Sequence, residues 1–414
     1  MTDLLVAGLF KWRQIMTAPF LFADELELKG KRVLLRLDLN VPFQDGKVSE
    51  DTRIRRILPG LKDMLAAGAA VIILTHFGRP KGKVMPEFSV QPIADCLAKH
   101  IGMDVAIEAD VIGAGGKAAA AKLQAGQILM MENLRFFAGE EANDPDFAAA
   151  LAALGDIYVG DAFSCTHRAH ASVEALPKMM KAAAGRALGA ELTALESALA
   201  KPKRPVAALV GGAKVSTKLD VLNNLVTKVD GLILGGGMAN TFLLAKGYSV
   251  GASLAEPDMV DTANAIIKRA EESNCRLILP EDALVAGEFK AGAVHRIASV
   301  DEIENDDMIL DAGPKSIDAA IAFLANCSTV VWNGPMGAFE IPPFDTATNA
   351  IAKAVGMRSA GGSMMSVAGG GDTLAALANA GVSDQFSYVS TAGGAFLEWL
   401  EGKTLPGVEA LRIN

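Results

Sequence analysis

The chain of 414 residues exceeds what one hydrophobic core ordinarily organises, which predicts two domains. With 51% apolar and 21% charged residues it is no disordered chain, and a net charge of −9 argues against nucleic acid as the main partner, which would need a basic surface and counterion release. Its four cysteines, Cys96, Cys165, Cys275 and Cys327, are far apart and form no C-x-x-C pair, so they predict neither a zinc site nor a disulfide framework and fit a reducing, cytoplasmic setting.

The opening MTDLLVAGLFKWRQIM places its charges after the apolar stretch, where a signal peptide would place them before it, and no apolar run reaches membrane-spanning length. It reads as a short extension, with Met16 as an alternative start. Beyond it, short branched-apolar runs end in glycine or a polar residue and are followed by helical stretches, the rhythm of βαβ units. In the first half the runs are 33–39, 70–75, 128–131 and 157–159, predicted as parallel strands buried on both faces, with a helix around 57–66 and an alanine-rich surface helix near 114–125.

Residues 188–200 carry Leu188, Leu192, Leu195 and Leu199 at helical spacing and precede Lys201-Pro202-Lys203-Arg204-Pro205, which cannot continue a helix. This places a first domain at 1–187, a linker helix and hinge at 188–205, and a second domain at 206–403. The second half repeats the rhythm at 206–210, 231–234, 277–279, 308–310, 329–332, 364–367 and 388–390.

Ligands of open parallel sheets collect outside the carboxyl ends of the strands. In the first half those ends carry Asp38-Leu39-Asn40, His76-Phe77-Gly78-Arg79-Pro80, Glu132-Asn133-Leu134-Arg135 and His167-Arg168-Ala169-His170. One arginine is ordinarily a solvated charge; three at successive strand ends, with Arg53 before a helical stretch, predict a small, highly anionic ligand matched by guanidinium forks. No metal-ligand spacing accompanies His76, His167 and His170, which leaves them as phosphate donors or as satisfied structural histidines.

In the second half the ends carry Gly211-Gly212-Ala213-Lys214, Gly235-Gly236-Gly237, Asp311-Ala312-Gly313, Asn333-Gly334-Pro335-Met336-Gly337 and Gly369-Gly370-Gly371-Asp372-Thr373. Recurrent glycine lets a backbone approach a large phosphorylated ligand. The last loop enters a helix predicted at 374–379, capped by Asp372 or Thr373; it fits either a phosphate site or a tight turn with no ligand. Neither G-x-x-x-x-G-K-[ST] nor G-x-G-x-x-G occurs, so a P-loop enzyme, a protein kinase and a typical dinucleotide dehydrogenase lose support. Lys214 and Lys218 would share a helix face if the strand has turned into a helix by then.

With these segments in order, the chain from about Phe22 onward resembles the phosphoglycerate kinase family. The resemblance rests on Arg36-Leu37-Asp38-Leu39-Asn40-Val41-Pro42, His76 to Pro80, Glu132 to Phe136, Asp161-Ala162-Phe163 with His167 to His170, Gly211 to Val215, Trp332 to Gly337 and Gly369 to Thr373. It implies two Rossmann-like parallel-sheet domains around a hinge-bending cleft, the first binding 3-phosphoglycerate, the second Mg²⁺ with ADP or ATP, and a tail at about 404–414 returning to the first. It further implies that Asp38, Asn40, Arg53, His76, Arg79, Arg135 and Arg168 contact the acid, and that Lys218, Glu340, Gly370, Gly371, Asp372 and Thr373 contact the nucleotide. Asp372 falls near the metal, while Arg53, Lys214, Lys218 and Gly371 serve the transferred group. A monomer acting on small molecules in glycolysis and gluconeogenesis is the accompanying expectation. Ser164-Cys165-Thr166 and Ala312 depart from the family pattern. A catalytically silent relative would be expected to have lost a charged site residue, and none of these positions has been lost.

Overall fold

The computed structural model describes residues 20–413, so the expectations for the opening segment, Met16 included, lie outside the described residues. The chain forms two compact units: one runs to Leu192 and takes back the chain from Thr404, and the other is Thr193–Lys403. The division falls inside the helix Arg186–Leu195, which widens into a π-turn over Glu196–Ala200 before the proline-rich segment ends it.

In chain order the first unit has β1 (Arg32–Leu37), a short hairpin of β2 (Phe43–Gln44) and β3 (Lys47–Val48), β4 (Ala70–Leu74), β5 (Val105–Glu108), β6 (Ile128–Met131), β7 (Ile157–Asp161) and β8 (Ala182–Ala184). Six of these pair in parallel in the order β5-β6-β4-β1-β7-β8. The four apolar runs read from the sequence are the four inner strands. The outer two carry little branched-apolar signal: β5 is only partly covered, and β8 is three alanines.

One face of this sheet offers Val33, Leu35 and Leu37 from β1 and Val71 and Ile73 from β4. Against it pack Ile54, Ile57 and Leu61 of the helix Thr52–Ala66 and Ile93 and Leu97 of the helix Gln91–Ile101. Their spacing of three and four residues makes the apolar stripes that dock both helices. Each fully buried aliphatic side chain here contributes about 1.5–3 kcal/mol.

The end of the chain completes this unit. Gly407 N–H donates to Thr166 O at 2.9 Å. A Cβ there would come within 2.6 Å of Val173 Cγ1 and 2.9 Å of Thr166 Cα, so the tail's close approach needs glycine. Leu411 is buried, and Phe20 forms an antiparallel bridge with Arg412.

The second unit has β9 (Val206–Val210), β10 (Gly231–Leu234), β11 (Arg276–Ile278), β12 (Asp282–Ala286), β13 (His295–Ser299), β14 (Met308–Ala312), β15 (Thr329–Asn333), β16 (Met365–Gly369) and β17 (Tyr388–Ser390). Its main sheet is again six parallel strands, ordered β11-β10-β9-β15-β16-β17. The run at 308–310 is not part of it. As β14 it belongs to a separate antiparallel sheet, β13-β12-β14. Among the described residues no helix is long and apolar enough to cross a membrane.

Candidate functional site

In the first unit the loops after β1, β4, β6 and β7 are stitched together by polar side chains. Asn133 is fully buried; its Oδ1 accepts from Phe77 N–H at 3.2 Å and Arg135 N–H at 3.1 Å, and its Nδ2 donates to Phe77 O at 2.7 Å. Arg135 Nη1 donates to Gly78 O at 2.8 Å, and Gly78 N–H donates to Asn40 Oδ1 at 3.0 Å. Asn40 N–H donates in turn to Asp38 Oδ1 at 3.1 Å. Asp38 Oδ2 accepts from Arg53 Nη1 at 2.5 Å and from Ser164 Oγ.

Thus Asp38, Asn40, Arg53 and Arg135 share one network. Arg79 follows Gly78 and is exposed; Arg168 is also exposed, its Nε 3.2 Å from His167 Nε2.

A residue absent from the sequence-based set of ligand contacts sits beneath this layer. Arg36, in the last turn of pleat of β1, is 2% exposed, its Nε donating to Ser172 Oγ at 2.8 Å and its Nη2 lying 3.2 Å from His76 Nδ1. Glu140 accepts from Ser172 Oγ at 2.6 Å and lies 3.9 Å from Arg36. Because a guanidinium only donates, His76 Nδ1 accepts, which leaves Nε2–H as that ring's donor. The available signal was a charged residue inside an otherwise apolar strand, where burial demands partners.

The electrostatics point the same way. Burial, then the charges of Arg36 and Arg135, hold His76 well below its ordinary range. Burial, followed by Arg135, Arg36 and Arg168, pushes His170 down to about 4. Both imidazoles are therefore neutral at pH 7 amid a surplus of positive charge. Asp38, His76 and Cys165 bring ligating atoms within 4.8 Å of one another. A cation there would meet those guanidinium groups, and Asp38 Oδ2 already serves Arg53 and Ser164, so the arrangement suits an anion.

In the second unit the ends of β9, β15 and β16 are tied to the loop before the helix Leu219–Leu225. Lys218 Nζ donates to Asn333 O at 3.2 Å and to Asn333 Oδ1, while Asn333 Nδ2 donates to Gly369 O at 2.7 Å. Thr373 Oγ1 donates to Gly369 O at 2.9 Å and accepts from Gly334 N–H at 2.7 Å. Burial lowers Lys218 to about 8, with Asp372 pulling the other way.

Gly370 precedes the helix Gly371–Asn379 with φ +101°, and a Cβ there would fall 2.7 Å from Asn333 Nδ2. Above Gly371 there is open space: a Cβ would meet nothing within 4 Å. The first-turn N–H groups of this helix have no intrahelical acceptors, so the turn can receive phosphate oxygens. Asp372 and Glu340 are both exposed. One exposed carboxylate beside a phosphate-receiving turn fits Mg²⁺, which takes one or two carboxylates and fills its remaining positions with phosphate and water oxygens.

Three expectations change. Lys214 and Lys218 do not share a helix face, because the helix starts only at Leu219; Lys214 is exposed on the loop. Neither Asp372 nor Thr373 caps its helix; Gly370 holds the cap position, and the Thr373 hydroxyl braces two strand ends instead. Asp311 does not face a ligand from a parallel strand: it lies in the antiparallel β14, is 2% exposed, and its Oδ2 accepts from Ala347 N–H at 2.8 Å.

A guanidinium-rich layer at the strand ends of one parallel-sheet unit and glycine turns at those of the other suit phosphorylated ligands, and comparison with known proteins places this α/β protein in the phosphotransferase class. The particular lineage follows from comparison: the family model described as Phosphoglycerate kinase matches residues 23–403, and the chain belongs to that family. It is 57% identical over 389 residues to the phosphoglycerate kinase of Ruegeria sp. (strain TM1040), covering 94% of this chain and 98% of that one. The enzyme of Rhodospirillum centenum is likewise 57% identical over 388 residues, with the same coverage. Among solved structures, phosphoglycerate kinase from Coxiella burnetii superposes with a TM-score of 0.90 at 44% identity, covering 95% of this chain and 99% of that one. The Pyrococcus horikoshii OT3 enzyme gives 0.75 at 28% identity, covering 94% and 98%.

Proposed function

We propose that the chain catalyses reversible phosphoryl transfer from 1,3-bisphosphoglycerate to ADP, giving 3-phosphoglycerate and ATP, in glycolysis and in reverse in gluconeogenesis. The observation that carries this reading is the convergence of Arg36, Arg53 and Arg135 on the strand-end network of Asp38, Asn40, His76 and Gly78, with burial first and the charges of Arg36, Arg135 and Arg168 second in holding His76 and His170 neutral. A site with that surplus of positive charge is complementary to a small acid bearing a carboxylate and a phosphate. In this reading Asp38, Asn40, Arg53, His76, Arg79, Arg135 and Arg168 bind the acid, and Lys218, Glu340 and Gly370 to Thr373 bind the nucleotide.

The nucleophile is a phosphate oxygen that is already anionic and the leaving group is a carboxylate, so no general base is needed. The chain's work is alignment and neutralisation of charge on the transferred group. Arg53 approaches it from the acid side, held through one nitrogen by Asp38, and Lys214 and Lys218 from the nucleotide side. The N–H groups of Gly371 to Thr373 add fixed dipoles. Asp372 would hold Mg²⁺, which supplies charge neutralisation to the phosphates when bound. Because the acid and the nucleotide are assigned to different units, turnover requires bending near 188–205 to join the ligands. We place the protein in the cytoplasm as a monomer acting on small molecules, with no nucleic acid or membrane partner.

The test is ATP-dependent phosphorylation of 3-phosphoglycerate, coupled to NADH oxidation, with Arg53→Ala and Lys218→Ala beside the intact protein. Turnover that both substitutions suppress supports the reading. A folded, magnesium-supplied sample without turnover overturns it. Small-angle scattering that shows no compaction with both substrates present would remove the bending step.

A further inference from the structure

Within the first unit, the helix Gln91–Ile101 carries Cys96 and His100 four residues apart, on one face. It packs against the helix Thr52–Ala66, whose N-cap is Asp51, through a shared core that includes Ile54, Ile57, Ile93 and Leu97. This packing brings a carboxylate oxygen of Asp51, Cys96 Sγ and a ring nitrogen of His100 within 4.8 Å of one another. We propose that Asp51, Cys96 and His100 form a binding site for a thiophilic divalent transition-metal ion such as Zn²⁺, with a fourth position open to water.

The donor geometry needs little change. Tetrahedral zinc, with bonds of about 2.0–2.3 Å, sets its donor atoms roughly 3.3–3.8 Å apart. His100 Nε2 and Asp51 Oδ2 lie 2.7 Å apart and have only to separate slightly to admit an ion. Asp51 Oδ1 is already held by Arg55 Nε at 2.8 Å, so that oxygen acts as the outer anchor while Oδ2 is presented to the site. The side chains of Asp51 and His100 are each 30% exposed, which leaves an entry path from solvent. Cys96 is half-buried against the core, which fixes its position.

The charges also balance. On binding, the Cys96 S–H bond breaks, its proton leaves to solvent and an S–metal bond forms; the hydrogen that His100 Nε2 now donates to Asp51 Oδ2 is also given up to solvent, the bound ring keeping a single proton on Nδ1, so that Nε2 offers its lone pair to the ion. One thiolate and one carboxylate then offset the two positive charges of the ion. Arg55 and Lys99 are the neighbouring cations, and Arg55 remains paired with Asp51 Oδ1. The C-x-x-C criterion is blind to this site because the third ligand comes from 45 residues earlier in the chain, through tertiary packing.

Tag-free, full-length protein stripped with chelator and titrated with Co²⁺ tests the proposal. The expected result is one Co²⁺ per chain, with a near-ultraviolet thiolate-to-cobalt charge-transfer band and visible bands of a tetrahedral ion, displaced by Zn²⁺. Cys96→Ser should abolish the charge-transfer band, and His100→Ala and Asp51→Asn should each weaken affinity by at least roughly tenfold. Should a variant fail to fold, Zn²⁺ protection of Cys96 from alkylation in the intact protein, read by mass spectrometry, supplies the same answer. Absence of a thiolate band together with unprotected Cys96 overturns the site. So does a band that survives Cys96→Ser and disappears in Cys165→Ser, which would place the ion beside Asp38 and His76.

Discussion

Arg53 Nη1 donates to Asp38 Oδ2 at 2.5 Å, and the same oxygen accepts from Ser164 Oγ. One nitrogen of the guanidinium is thus committed to the protein, and the remaining N–H donors are available to a ligand. Arg53→Ala should lower kcat by about 10²–10³, the loss typical of removing one donor to a developing oxyanion. Arg53→Lys should recover only part, because a point charge does not reproduce the fork. Asp38→Ala should act mainly on the KM for the acid. Steady-state kinetics of the three variants decide it, and an Arg53→Ala enzyme within threefold of the intact one would remove Arg53 from the reacting group.

Lys218 titrates near 8 because burial opposes its charge. Below that pH the folded chain keeps a buried ammonium that the unfolded chain would keep in water, at a cost of about 3 kcal/mol. Between about pH 8 and 10.5 the folded state holds fewer protons than the unfolded one, so this cost is relieved as pH rises. A polyphosphate beside Lys218 reverses the shift. ADP binding should therefore take up protons at pH 8.5–9 and few at pH 7, and Lys218→Met should abolish the uptake. Calorimetry in buffers of different ionisation enthalpy reads this directly.

His170, held down to about 4 by burial and then by Arg135, Arg36 and Arg168, should show no imidazole titration between pH 5.5 and 8 in the free protein. Its unfolded counterpart protonates near 6.5, so the stability it contributes is complete above that pH and is lost as pH falls towards 4. Arg168→Ala should raise its pKa, and bound 3-phosphoglycerate should raise it further. An NMR titration with a midpoint near 6.5 in the free protein would contradict the buried basic cluster.

Asp311 carries the opposite sign. Burial raises its carboxyl to about 8, while its Oδ1 has no hydrogen-bond partner. The folded chain retains a proton that the unfolded chain releases near pH 4, so stability falls as pH rises from about 4 to 8. Asp311→Asn, close in shape and uncharged, should stabilise the second unit by about 2–5 kcal/mol at pH 8 and hardly at all at pH 4. Urea unfolding at the two pH values checks it; equal effects at both would mean the carboxyl is ionised throughout.

The inner strands were legible because Ala70 to Leu74 is an unbroken apolar run and Val33 to Leu37 is interrupted only by Arg36, both buried on both faces as central parallel strands are. The alanine-only β8 and the half-covered β5 carry no such signal. Met308 to Leu310 reads like any other run, and only its pairing with β12 reveals an antiparallel sheet. In the candidate site Arg79, Arg135 and Arg168 stood out at strand ends. The positioning roles of Asn133 and Arg36, which lie within the segments that carry the family resemblance and brace that layer from below, did not, since nothing local says which carbonyl or ring will meet a buried polar group. Where a strand's exit loop becomes helix was equally hidden: the segment from Lys214 to Lys218 stays irregular because Ser216 is drawn to Glu256, its N–H donating at 3.0 Å and its Oγ at 2.5 Å.

The tail that packs Gly407 against Thr166 and Val173 sets an order of events in synthesis. Residues 404–413 follow the whole of Thr193–Lys403 in the chain, so a ribosome delivers every part of the second unit before the first can be closed. Domains otherwise tend to fold in the order in which they emerge. Here the unit begun first is finished last, and until then the nascent chain exposes the apolar surface that Leu405 and Leu411 later cover.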